Sequence, residues 1–101
     1  MIQELNSSNF KEHTKNGLKL VEFFTDWCGF CKKQRPVIED LSKNGVWIGT
    51  INADENPDIT KSFDIDGFPA FILFKDGKPI SNLFGFHDKS SLLSKLMENI
   101  G

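Results

Sequence analysis

Three apolar runs restrict the fold most: KLVEFFT at 19–25, VWIGTINA at 46–53 and AFILFK at 70–75. They are rich in Phe, Val and Ile, which suits strands buried on both faces. The segments between them have helical spacing. From about Cys28 to Ser42, the residues Val37, Ile38 and Leu41 share one face, and Lys32, Lys33, Arg35, Glu39 and Asp40 fall largely elsewhere. Pro36 lies inside this helix, removes one N–H and is expected to kink it. Asn44-Gly45 stops it. Asn56-Pro57 opens a short helix to about Phe63. Ser7-Ser8-Asn9, FKEHTK and Gly17 read as a short first helix with a cap before and a glycine after. There is room for a short strand at Ile2 to Leu5. Asp76-Gly77 marks a hairpin with PISNLFGF as its return strand. Asp88 caps a last helix with Leu92, Leu93, Leu96 and Ile100 on one face.

This order predicts a single α/β domain over residues 1–101. A central mixed sheet, three parallel-type strands and one antiparallel addition, is flanked by helices on both faces. A chain of 101 residues can bury a modest core without staples. A net charge of −2 gives no reason to expect nucleic acid or an anionic membrane as partner. No apolar run approaches the roughly 20 residues that span a bilayer. MIQELNSSNF has neither a basic n-region nor an apolar h-region. With Met1 as the natural start, a cytoplasmic protein is expected; with Met1 placed on a trimmed chain, an extracytoplasmic one.

DWCGFCKK, Asp26 to Lys33, holds both cysteines. Cys28 and Cys31 follow a strand and open a helix. A thiol there faces unpaired N–H groups and the positive end of the helix dipole, which favours the nucleophilic thiolate. Cys28, at the first position, is expected to be the more exposed and acidic, with Cys31 shielded one turn in. The spacing brings both sulfurs to one face within bonding reach. Cys28 can then attack a substrate disulfide and Cys31 release the mixed disulfide. Two other readings fit less well. A structural disulfide closing so short a loop restrains the unfolded chain little. A zinc site needs about four ligands, and only His13 and His87, both distant in sequence, could add nitrogen. No metal and no organic cofactor is expected.

Several separated features together resemble the thioredoxin family. They are WCGFCK in a strand–turn–helix, Pro36 five residues after the second Cys, Asp54-Glu-Asn-Pro57 after a strand, Gly67-Phe-Pro69 before AFILFKDGK, and Gly85. The resemblance runs from about residue 5 to residue 100. It implies the thioredoxin fold and dithiol–disulfide exchange, with a cis Pro69 beside the cysteines. Residues read alone leave Pro69 equally a plain loop proline before a strand. The resemblance further implies disulfide-containing protein substrates and a reductase partner or small thiol as electron donor. It assigns docking to Trp27, Gly29, Phe30, Phe68 and Gly85, with Phe84 and Phe86 completing the rim. A monomer is expected.

Three positions depart from the family pattern. Phe30 stands where Pro is common; it frees an N–H that can donate to Cys28, predicting a more oxidising couple, or it enlarges the docking surface. Glu22 stands where a buried Asp is usual. On a strand apolar on both faces its carboxyl is expected to be buried, with a raised pKa, and able to take the Cys31 proton. Thr50 stands where many members place a lysine, leaving Glu22 without that cation. Lys32, Lys33, His13 and His87 read as surface residues, His87 with a minor claim to tuning. The function predicted is a protein thiol–disulfide oxidoreductase, reducing in direction. The alternatives are an extracytoplasmic isomerase or oxidase, and a non-catalytic binding module.

Overall fold

A computed structural model describes residues 1–100. The elements are β1 (Ile2–Leu5), α1 (Phe10–Thr14), β2 (Leu18–Phe24), α2 (Gly29–Lys43), β3 (Ile48–Asn52), α3 (Pro57–Ser62), β4 (Ala70–Lys75), β5 (Lys78–Phe84) and α4 (Lys89–Glu98). The apolar runs form the three inner strands of one sheet, ordered β1-β3-β2-β4-β5. Their period-2 pattern divides the core into two layers. Val21, Phe23 and Phe74 face α1 and α3. Leu20, Ile48 and Phe71 face α2 and α4, whose Ile38, Leu41, Leu92 and Leu96 cover them. The phenylalanine-rich composition serves the first layer, where the rings of Phe10, Phe63 and Phe74 meet at centroid distances of 5.4 to 5.7 Å.

The sheet direction differs from the sequence expectation. β1, β3 and β2 are parallel, but β4 runs antiparallel to β2, and β5 antiparallel to β4. The chain leaves β3, forms the short helix α3 and enters β4 at the end of the sheet where β2 and β3 finish. Phe23 pairs with Ala70, and Ala70 with Phe84. One end of the sheet thus gathers the loop after β2, the start of β4 and the exit of β5, and with them Cys28, Pro69 and Gly85.

Smaller differences follow from local geometry. Helix α2 is continuous through Pro36. Ile100 lies beyond the α4 cap and is exposed rather than packed. The Asn9 cap makes no side-chain bond to its helix; its Oδ1 accepts from the Asn6 N–H instead. Asp88 caps α4 as expected, accepting from the Ser91 N–H at 2.9 Å. Asp76 and Gly77 both have positive φ, 51° and 85°, the requirement of a tight two-residue hairpin turn. Among the described residues no helix is long and apolar enough to cross a membrane.

Gly49 on β3 is required by close packing. A Cβ there would lie 2.6 Å from Leu5 Cδ1 and 2.9 Å from a Trp47 ring carbon. Gly49→Ala is expected to destabilise the fold by about 1–3 kcal/mol through overpacking, visible as a lower denaturation midpoint. An unchanged midpoint would show that Leu5 and Trp47 move aside freely.

Candidate active site

Cys28 caps α2 from extended backbone, φ −87° and ψ 114°. That geometry turns its side chain back over the first helical turn, where Sγ accepts the Cys31 N–H at 3.1 Å. Both cysteines are free thiols, each 7% exposed. The expected difference in exposure is therefore absent: the turn that makes Cys28 a cap also tucks it in. The donor to Cys28 is the Cys31 amide, not the Phe30 amide. The specific donor invoked for a more oxidising couple at Phe30 is thus not the one that reaches the sulfur. The Phe30 ring is 60% exposed, with Lys33 Nζ 5.5 Å from its centroid.

The two sulfurs differ in chemistry. Burial pushes the Cys31 thiol up to about 12, helped by its hydrogen bond with Cys28 and by negative charge at Cys28 and Glu22, while a hydrogen bond from the Thr25 backbone opposes the rise. Cys31 keeps its proton at neutral pH until a base removes it.

Glu22 is buried on the α2 side of β2. Its register neighbours are Thr50 on β3 and Phe71 on β4, neither of which can offset a charge. Burial raises its carboxyl from 4.5 to about 7, with Arg35 pulling it partly back. Its Oε2 and the Thr25 Oγ1 are buried with no protein partner. Both residues line a cavity of about 230 Å³, together with Asp26, Cys31, Lys32 and Arg35. Glu22 and Cys31 thus line one space, large enough to admit water.

The rim surrounds this centre. Trp27 is 70% exposed. Its Nε1–H donates to Asp54 Oδ2 at 2.9 Å, and its ring meets Phe68 edge-on at 6.1 Å. The Phe68–Pro69 bond is cis, and the Pro69 carbonyl accepts the Gly85 N–H at 2.8 Å. Gly85 has φ +78° and open space where a Cβ would stand. Conformation is what requires glycine there. Gly29 likewise has open space on its Cβ side. Among the described residues every exposed aromatic side chain, namely Trp27, Phe30, Phe84 and Phe86, belongs to the segments around the dithiol.

The sequence model of the Thioredoxin family matches residues 1–98. The chain belongs to the thioredoxin family. It is 38% identical to a thioredoxin of Chlamydia caviae, over 92% of this chain and 93% of that one. It is 36% identical to a thioredoxin of Staphylococcus haemolyticus, over 98% of each. The solved structure of a mutant thioredoxin from Halobacterium salinarum NRC-1 shares the fold, with a TM-score of 0.91 at 24% identity, over 99% of this chain and 91% of that one. Membership makes the chain a protein thiol–disulfide oxidoreductase, acting on disulfides and served in general by a reductase.

Sequence reasoning missed two residues of this thioredoxin-family site. Arg35 is four residues past Cys31 and lines the Glu22 cavity from the helix side. It supplies a counter-charge where Thr50 supplies none. It also pairs with Glu39 at 3.3 Å on the exposed side of the helix. Gln34 is fully buried on α2 and bonds both backbone polar groups of His87. A polar residue on the face shared with Ile38 and Leu41 was the available signal.

Proposed function

We propose that the chain reduces disulfides in protein substrates, with Cys28 attacking and Cys31 resolving. The Cys28 thiolate attacks one sulfur of the substrate disulfide. That bond breaks, the departing sulfur takes a proton, and a mixed disulfide forms. Glu22 then accepts the Cys31 proton across the shared cavity. The Cys31 thiolate attacks Cys28 Sγ and expels the second substrate thiolate. Two electrons pass to the substrate, the Cys28–Cys31 pair is left oxidised, and a reductase or small thiol restores it. Trp27, Gly29, Phe30, Phe68, Pro69 and Gly85 form the surface that receives the substrate chain.

The observation that carries this reading is the cavity shared by Glu22 and Cys31. Within it sit a carboxyl titrating at about 7 and a thiol that holds its proton to about 12. A base poised near neutral pH is the partner that such a thiol needs.

Direction is tested by the potential of the Cys28–Cys31 couple, equilibrated in glutathione buffers with thiol trapping. Thioredoxins sit near about −270 mV and protein disulfide isomerase near about −180 mV. The reducing assignment expects a value near the first, and Phe30→Pro should move it little, because the Cys31 amide already serves Cys28. A value near the second would reverse the direction to oxidase or isomerase.

A further inference from the structure

The end of β5 and the loop that follows it carry two exposed phenylalanines, Phe84 and Phe86, which are 58% and 41% exposed. Exposed rings on a loop dock a partner at lower cost when the loop is already held in place. Here the holding is explicit. Gln34, one turn beyond Cys31 on α2, is fully buried. Its Nε2–H donates to the His87 carbonyl at 2.8 Å, and its Oε1 accepts the His87 N–H at 2.9 Å. One amide side chain thus pairs both backbone groups of His87.

The His87 ring closes the loop from the other side. Nε2 lies 3.0 Å from the Phe84 carbonyl and Nδ1 2.8 Å from Ser91 Oγ. A carbonyl only accepts, so Nε2 carries the hydrogen; in the neutral ring Nδ1 then accepts from the Ser91 hydroxyl. With the Gly85 N–H bonded to the Pro69 carbonyl at 2.8 Å, the loop is tied to β4, to α4 and, through Gln34, to the dithiol helix.

We propose that Gln34 is a positioning residue for substrate selection: it registers the Phe84–His87 loop to the helix that carries Cys28 and Cys31. This rests on the reading that the rim receives protein substrates. Without Gln34, two part-buried backbone groups of His87 lose their partners, and the loop loses its tie to the dithiol helix while keeping those to Pro69 and Ser91. Large disulfide substrates that span dithiol and loop then lose affinity. A small disulfide, which touches only the sulfurs, has little to lose.

The test compares second-order rate constants of the reduced protein with insulin and with bis(2-hydroxyethyl) disulfide. It is made at a temperature where circular dichroism shows each variant folded. Gln34→Met keeps the volume and removes both hydrogen bonds. The insulin-to-small-disulfide ratio is expected to fall about tenfold. Gln34→Glu keeps the acceptor for the His87 N–H but at pH 8 lacks the donor, and a severalfold fall is expected; it carries the test should the Met variant not fold. Phe84→Ser is the control for docking and should lower the same ratio. A ratio unchanged in both Gln34 variants while Phe84→Ser lowers it overturns the positioning role alone. A ratio unchanged in Phe84→Ser as well overturns both the docking rim and the role of Gln34.

Discussion

Cys28→Ser is expected to abolish turnover of disulfide substrates, by on the order of 10³-fold or more, whereas Cys31→Ser should stall after one chemical step. The asymmetry follows from the two sulfur environments. Cys28 accepts the Cys31 amide at 3.1 Å, a bond that strengthens as negative charge gathers on sulfur. The Cys31 thiol, pushed up to about 12, holds its proton. Mixed with insulin, Cys31→Ser should accumulate a mixed disulfide through Cys28, seen as a mass increase that dithiothreitol reverses. Cys28→Ser should accumulate none. A covalent adduct at Cys31 in the Cys28→Ser protein would exchange the two roles.

Glu22→Gln is expected to act on stability and on rate in opposite senses. The folded carboxyl keeps its proton up to about 7, while the unfolded chain releases it near 4.5. Between those values the native state binds more protons, so stability falls as pH rises. The contribution is whole below about 4.5 and is lost by the time pH passes about 7. A displacement from 4.5 to about 7 corresponds to about 3 kcal/mol. Urea unfolding of the wild type should weaken by that amount between pH 4 and pH 8 relative to Glu22→Gln, whose amide does not titrate. Resolution of the mixed disulfide in the variant should slow on the order of 10²-fold, with attack by Cys28 spared. Arg35→Met removes the cation that pulls Glu22 down, so the stability loss should still begin near 4.5 but extend to higher pH, and the limb of the rate profile set by Glu22 should move to higher pH. Parallel stability curves for wild type and Glu22→Gln would show that the carboxyl reaches solvent. Equal resolution rates would remove it from the mechanism.

Much of this was legible in the residues. The runs at 19–25, 46–53 and 70–75 became the inner strands because apolar side chains on both faces of a strand demand cover on both sides. Glu22 was placed inside the protein for the same reason. The cysteine pair opened a helix because a strand ends before it and helical spacing follows. Asp76-Gly77 and Asp88 declared a turn and a cap through chemistry confined to a few residues. All of these signals are local.

What the tertiary structure decided is what depends on distance through space. The reversal of β4 relative to β2 sets Pro69 and Gly85 at the end of the sheet where Cys28 lies. Cys28 is as buried as Cys31 because capping turns its side chain inward. Arg35 and Gln34 look on the sequence like an ordinary surface cation and a misplaced polar residue. Packed, one faces the cavity of a carboxyl thirteen positions earlier and the other holds a backbone fifty-three positions later. Periodicity records which face of an element meets the core. It does not record which residue of another element waits there, and that pairing sets the proton affinities and fixes the rim.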